Sequence, residues 1–207
     1  GLEKGAPTGA IIEHPDIRRM LMTMRANTEA MRAVAYVTGA AMDNANRHPD
    51  ADARKRHQAF VDFMIPIVKG WSTETAQRVT YLGVQVHGGM GFIEETGAAQ
   101  HLRDAKILTI YEGTTAIQAN DLVGRKTARD GGQVAKAIAG QIEKTEASLA
   151  TRNSAASKAM HKHLFAARKA FVEVVDFVAT HTKGSPNAVF AGSVPYLMLA
   201  GHLMAGW

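Results

Sequence analysis

The sequence predicts an all-α protein, an up-and-down helical bundle with an appended helical extension. Three observations carry that expectation. Apolar residues recur at helical spacing through most of the 207 residues. Alanine and methionine are plentiful, while Val, Ile, Thr and Tyr do not gather into alternating runs. Prolines, glycines and short polar runs punctuate the chain at intervals that suit helices.

The first helix starts in HPDIRRMLMTMRANTEAMRAVAYV, where Pro15 and Asp16 suit a first turn. Ile17, Met20, Leu21, Met24, Met31, Val34 and Ala35 follow at helical spacing, and the helix is expected to reach about Asp43. The methionines Met20, Met24, Met31 and Met64 read as core filler. The polar run NANRHPDAD makes a turn, and Pro49 with Asp50 starts a second helix carrying Phe60, Val61, Met64, Ile65 and Val68. Pro66 and Gly70 predict a kink or break in it.

From Ser72 a third helix runs through Ala76, Val79, Leu82 and Val86 to a left-handed glycine cap at Gly88-Gly89. The loop GGMGFIEETG, a short helix AAQHLRDAKILTI and a break at IYEGT come next. Thr115 and Gln118 have capping-box spacing, so helix resumes at Thr114 or Thr115 and continues to about Arg129. Asp130-Gly131-Gly132 marks a boundary, dividing the chain into a linker (1–14), a first helical domain (15–130) and a helical extension (131–207).

In the extension, residues 133–152 are polar and alanine-rich. Residues 154–182 form an amphipathic helix with Leu164, Phe171, Val174, Val175 and Val178 on its apolar side. KGSPNA is a turn, and a last helix begins near Ala188 and runs to the end of the chain. The start GLEKGAPTGAII and the apolar finish MLAGHLMAGW suggest a piece of a longer protein, with apolar surface exposed at its end.

Composition excludes several function classes. The chain is 46% hydrophobic and 21% charged, ordinary for a globular protein. With no cysteine it has no disulfide, thiolate nucleophile or cysteine-based zinc site, which suits a reducing compartment. The +5 net charge is spread among acids with no run of five like charges, against nucleic-acid binding and compatible with an anionic small ligand. No apolar stretch reaches the roughly 18 residues of a membrane span.

Four short segments invite a chemical reading. In QVHGGMGF, three glycines in four positions allow close backbone approach to a ligand, or simply close a helix. It is not a dinucleotide-binding fingerprint, which follows a strand and opens a helix. Arg103 beside Asp104 reads as a local ion pair. His161 and His163 diverge on a helix, so no metal site is expected. IYEGTT is the sharpest: Glu112 sits in a break that Thr114 and Thr115 can cap without it. Near the apolar Ile110 and Tyr111 it is either a desolvated general base or a solvated acid in a turn. The following helix N-terminus offers free N–H donors to a polar ligand group.

Taken together, QVHGGMGF followed by RDAKILTIYEGTTAIQ resembles the signature of the acyl-CoA dehydrogenase family over residues 15 to about 129, its C-terminal helical domain. Residues from about 133 resemble an extension found in a bacterial subgroup that includes the 3-methylmercaptopropionyl-CoA dehydrogenases; GVQVHGGMGFIEETGAAQHLRDAKI and DLVGRK are also similar to that subgroup. The resemblance implies FAD-dependent oxidation of an acyl-CoA thioester to the trans-2-enoyl-CoA, with Glu112 as the base that takes the α-proton. It implies that Gly113 lies at the substrate and that Thr114, Thr115 and Ala116 lie along the flavin. Gln85, Val86, His87, Gly88 and Gly89 would contact the FAD of a neighbouring subunit. A homo-oligomer (dimer or tetramer), an electron-transferring flavoprotein as electron acceptor and a bacterial cytoplasmic location follow from the same resemblance.

The chain departs from the family where Gln100 and His101 stand in a stretch that often carries another Arg before the Arg-Asp pair. The family's N-terminal helical domain and middle β-domain are not in this sequence, so the fragment alone is expected to be inactive and not to retain FAD. Two other readings stay open at this stage. One is a non-catalytic helical oligomerisation module; the other is a flavin-dependent acyl-CoA oxidase on the same scaffold.

Overall fold

The computed structural model describes residues 9–207; residues 1–8 of the expected linker lie outside the described residues. Its elements are α1 (Pro15–Arg47), α2 (Ala51–Pro66), α3 (Ser72–Val86), α4 (Gly89–Phe92), α5 (Ala98–Ile107), α6 (Thr115–Val123), α7 (Gln133–Ala150), α8 (Ala155–His181), α9 (Pro186–Ala191) and α10 (Ser193–Gly206). No strand occurs among the described residues, as the fold class predicts, and none of the described helices is long and apolar enough to cross a membrane.

Local chemistry explains the boundaries. Pro15 opens α1 at a position where its missing N–H costs nothing. Asp50 caps α2, its carboxylate accepting the Asp52 N–H at 2.9 Å. That bond holds the Asp50 carboxyl below the usual carboxylate range. The break expected at Pro66 and Gly70 is a π-helical turn, Ile67–Trp71, that joins α2 to α3 without ending the helix. A second π-turn, Gly124–Ala128, continues α6.

The last helical stretch is interrupted where the sequence pattern suggested continuity. Gly192 separates α9 from α10. Most of α10, apolar on nearly every side, is buried or half-buried, while Trp207 at its end is 38% exposed, as the apolar finish of the sequence suggested. Tyr196, Leu197, Ala200 and Leu203 pack in one cluster with Ala119, Leu122 and Val123 of α6 and Phe171 and Val175 of α8. Each fully buried leucine here is worth about 1.5–3 kcal/mol over exposure. Ile138 and Ile142 of α7 and Phe63 and Met64 of α2 belong to the same cluster, so residues on both sides of Asp130 share one core.

Two polar links cross this core. Tyr196 OH and Thr127 Oγ1 are 2.9 Å apart, joining α10 to the second π-turn, and burial pushes the Tyr196 phenol up from its usual range. Arg168 of α8 meets Glu146 of α7 through two bonds of 2.7 and 2.8 Å. Of the methionines read as core filler, Met20 and Met64 are buried and Met24 and Met31 are half-buried.

Candidate functional site

The break between α5 and α6 is built from glycine freedom and one unusual residue. After α5 the chain tightens, with Ile110 N–H and Tyr111 N–H both bonded to the Ile107 carbonyl. Glu112 then takes φ +50°, the one non-glycine residue with positive φ among those described. Gly113 follows at φ +92°, and a Cβ there would lie 2.8 Å from Gln118 Nε2. A non-glycine residue in this region is strained and persists only where its surroundings hold it.

Helix resumes at Thr115, within the expected Thr114–Thr115 start, but not through a Thr115–Gln118 box. Thr114 is the N-cap, its Oγ1 accepting the Ile117 N–H at 3.4 Å. Gln118 does not reach back to close a box with Thr115; its Nε2 donates to the Glu112 carbonyl at 3.3 Å. The Thr115 N–H bonds Thr109 O across the break, and the Ala116 N–H has no hydrogen-bond partner among the described residues. This is the polar edge expected of an open helix N-terminus.

A row of side chains from the first π-turn and α3 braces the break. Lys69 Nζ donates to the Leu108 carbonyl at 2.8 Å and to the Gly113 carbonyl at 2.7 Å. Glu74 accepts the Thr115 hydroxyl at 2.5 Å, and Gln77 donates to the Ala105 carbonyl at 2.5 Å. A π-turn stacks residues five apart, as an α-turn stacks those four apart. Lys69 and Glu74 therefore share a face, with Gln77 one turn on. Reading the sequence missed all three residues. The signal for them was the helix irregularity flagged at Pro66 and Gly70, which leaves an uninterrupted polar face opposite the IYEGT segment only if the irregularity is a π-turn.

Glu112 itself is exposed, and no ion pair holds it among the described residues. The apolar enclosure expected from Ile110 and Tyr111 is not supplied by the described residues: the two side chains are 50% and 48% exposed, and Ile117 is 57% exposed.

The Gln85–Gly89 segment closes α3 and lies about 12 Å beyond Gln77 along that helix, at 1.5 Å per residue. No hydrogen bond joins it to the Glu112 break among the described residues. Gly88 has φ +60° and ψ −143°, so the cap is not the left-handed one expected but a conformation reserved for glycine. His87 Nδ1 lies 2.7 Å from the Gly83 carbonyl. Gln85, His87, Gly88 and Gly89 are exposed, Val86 is half-buried, and a side chain at Gly88 or Gly89 would meet nothing. Beyond them Phe92 is 81% exposed. The open glycine edge and the unpartnered Ala116 N–H fit the rim of a flat, polar-tailed cofactor such as FAD, and among the described residues nothing lies within 4 Å of where a Cβ on Gly88 or Gly89 would be.

Arg103 pairs with Glu94 at 2.9 Å and not with Asp104. His161 stacks on Phe165, and the described residues include no group of three metal-capable side chains.

Comparison with known proteins bears on this geometry. Residues 3–126 match the family model described as acyl-CoA dehydrogenase, C-terminal domain, and residues 135–207 match one described as acetyl-CoA dehydrogenase C-terminal like. The chain is 53% identical, over 95% of its length, to 3-methylmercaptopropionyl-CoA dehydrogenase of Ruegeria pomeroyi, covering 33% of that protein. It is 36% identical over 99% of its length to the broad-specificity linear acyl-CoA dehydrogenase FadE5 of Mycobacterium tuberculosis, covering 34% of it. A butyryl-CoA dehydrogenase of Syntrophomonas wolfei is 34% identical over 85% of the chain, which covers 28% of that relative. The chain thus spans about a third of the length of these curated relatives.

Proposed function

This chain belongs to the acyl-CoA dehydrogenase family, and from that premise we propose that it is the C-terminal part of an FAD-dependent acyl-CoA dehydrogenase in which Glu112 is the general base. The observation that supports the role of Glu112 is its backbone. A lone carboxylate is fixed at φ +50° on a braced break, with exposed apolar side chains around it. Such a base is held in place before substrate arrives, which is what proton abstraction from carbon requires.

In the proposed reaction the Glu112 carboxylate takes the α-proton of the acyl thioester and becomes the neutral acid. The Cα–Cβ double bond forms as the β-hydrogen departs with its electron pair. Bound FAD supplies the acceptor for that hydride. Gly113 presents its backbone to the thioester, and its lack of a side chain keeps that approach open. Thr114, Thr115 and Ala116 hold the flavin edge through the helix N-terminus, and Gln85, Val86, His87, Gly88 and Gly89 present an open edge to the cofactor of a neighbouring subunit. Residues 15–130 form the domain that carries these groups, and residues 131–207 are an extension locked to it by α10.

The partners proposed are an acyl-CoA, a second copy of the subunit and an electron-transferring flavoprotein, in the bacterial cytoplasm. The relatives' names point to short or linear acyl chains, one of them sulfur-containing. An oxidase passing electrons to oxygen would use the same base, and the rate of flavin reoxidation in air separates the two. The test of the main reading is Glu112→Gln in the full-length enzyme. Flavin reduction by acyl-CoA should fall at least a hundredfold, within the range a positioned base contributes. A rate within about threefold of wild type, under roughly 1 kcal/mol of barrier, overturns it.

A further inference from the structure

We propose that Lys69 is the positioning residue for the base, fixing Glu112 through the Gly113 carbonyl; this rests on the reading of Glu112 given above. The partners of the Lys69 ammonium all lie in the break. Its ammonium bonds Leu108 O at the entrance and Gly113 O at the exit, 39 and 44 residues away in sequence, and sits 5.6 Å from the centre of the Tyr111 ring. It therefore spans the loop that carries Glu112 from outside it. The side chains of Ile110, Tyr111 and Glu112 are exposed, so the segment is held through its backbone, and Lys69 is the charged side chain that bonds it at both ends.

The contact also falls at the strained point. Gly113 O belongs to the peptide plane next after the one joining Glu112 to Gly113, and those two residues carry the positive φ values of the break. Holding this carbonyl together with that of Leu108, on the other side of Glu112, limits the backbone torsions that set where the Glu112 side chain leaves the chain. An ammonium donor makes stronger bonds to carbonyls than a neutral amide does, and its compact head can serve two acceptors at once. The π-turn has a purpose in this arrangement, because it aligns Lys69 with Glu74, whose carboxylate holds the Thr115 hydroxyl at the start of α6. A hydrophobic residue at 69 would leave both carbonyls without this partner.

The test uses the full-length holoenzyme carrying Lys69→Met, alongside Glu112→Gln. With Lys69→Met we expect flavin reduction at saturating acyl-CoA to fall at least tenfold while KM changes less than threefold. Amide hydrogen exchange should quicken over residues 108–118 and stay unchanged over α7 and α8. Lys69→Arg, which keeps the charge but moves the donors, should recover part of the rate. If Lys69→Met does not assemble with flavin, Lys69→Arg alone is read for the same rate, KM and exchange changes. A rate within twofold of wild type while Glu112→Gln is inactive overturns the role of Lys69 and leaves the base standing. An active Glu112→Gln enzyme removes the base, and the positioning role with it. Accelerated exchange throughout the chain with equal losses in rate and melting temperature makes Lys69 merely structural, which also overturns the proposal.

Discussion

The Trp71 indole occupies the space that a side chain on residue 201 would need. Trp71 is buried at the end of the first π-turn, and Gly201 of α10 packs directly against its ring. Any Cβ at 201 would run into the rigid indole and not into the end of a flexible chain. Glycine in mid-helix costs about 0.8–1 kcal/mol relative to alanine, so its presence in α10 has to be offset by this close approach. Gly201→Ala should therefore destabilise the protein by about 1–3 kcal/mol in spite of its better helix propensity. Denaturant titration gives the answer: a midpoint that rises would mean α10 can slide away from Trp71.

The ion pair between Arg168 and Glu146 predicts a second loss. Glu146 is 3% exposed, and its two oxygens both face the guanidinium across α7 and α8. Removing Arg168 leaves the Glu146 carboxylate buried without compensation, at about 3–5 kcal/mol. Arg168→Leu should cost that much, and Glu146→Leu less, because Glu143 lies 3.5 Å from the Arg168 guanidinium. Replacing both residues by apolar ones of similar volume should recover most of it. Urea unfolding of the two single variants and the double variant measures the coupling, and simple additivity would show that the pair is not a unit.

How far the sequence could be read depended on the range of the interaction concerned. Helices α1 and α8 were legible because their apolar residues repeat within the helix itself. The lone acid Glu112 was visible because the break around it is local chemistry: a Tyr, two glycine-like backbone angles and a Thr cap. The brace was not legible. Lys69, Glu74 and Gln77 look like ordinary helix-surface residues until folding places them against carbonyls and a hydroxyl 28 to 44 residues away. The interruption at Gly192 was missed because the segment around it is apolar on both sides, and such a run has no periodicity to lose. Thr114 rather than Thr115 caps α6 because Gln118, the other half of the expected box, finds the Glu112 carbonyl instead.

Acid should loosen α2 through Asp50. Its carboxyl titrates below the ordinary carboxylate range, chiefly because it accepts the Asp52 N–H. A group whose pKa is lowered by folding adds stability above its unfolded pKa and loses it as pH falls through the folded value. Asp50→Asn keeps a capping acceptor at every pH, so this part of the acid sensitivity should disappear. Urea midpoints of wild type and Asp50→Asn, compared from neutral pH down through the carboxylate range, test this. Parallel curves would show that the cap contributes nothing to the acid limb.

Glu112 should be a residue the fold would be better off without. Its left-handed backbone costs on the order of 1–3 kcal/mol for a non-glycine residue, and no ion pair among the described residues repays that cost. Glu112→Gly relieves the strain but adds freedom to the unfolded chain, worth roughly 0.5–1 kcal/mol in the other direction. The net expectation is a gain of roughly 0–2.5 kcal/mol. Glu112→Gln keeps the same backbone penalty and should leave stability unchanged within about 0.3 kcal/mol, well under the usual effect of a core change. Glu112→Val, β-branched at the same φ, should lose more than about 1 kcal/mol. The order Gly above Glu and Gln, with Val lowest, is read from denaturant midpoints at neutral pH. A stabilising glycine at the position that holds the proposed base would mean that stability is given up there to keep a carboxylate fixed. A destabilising glycine would mean instead that the Glu112 side chain holds its own turn together.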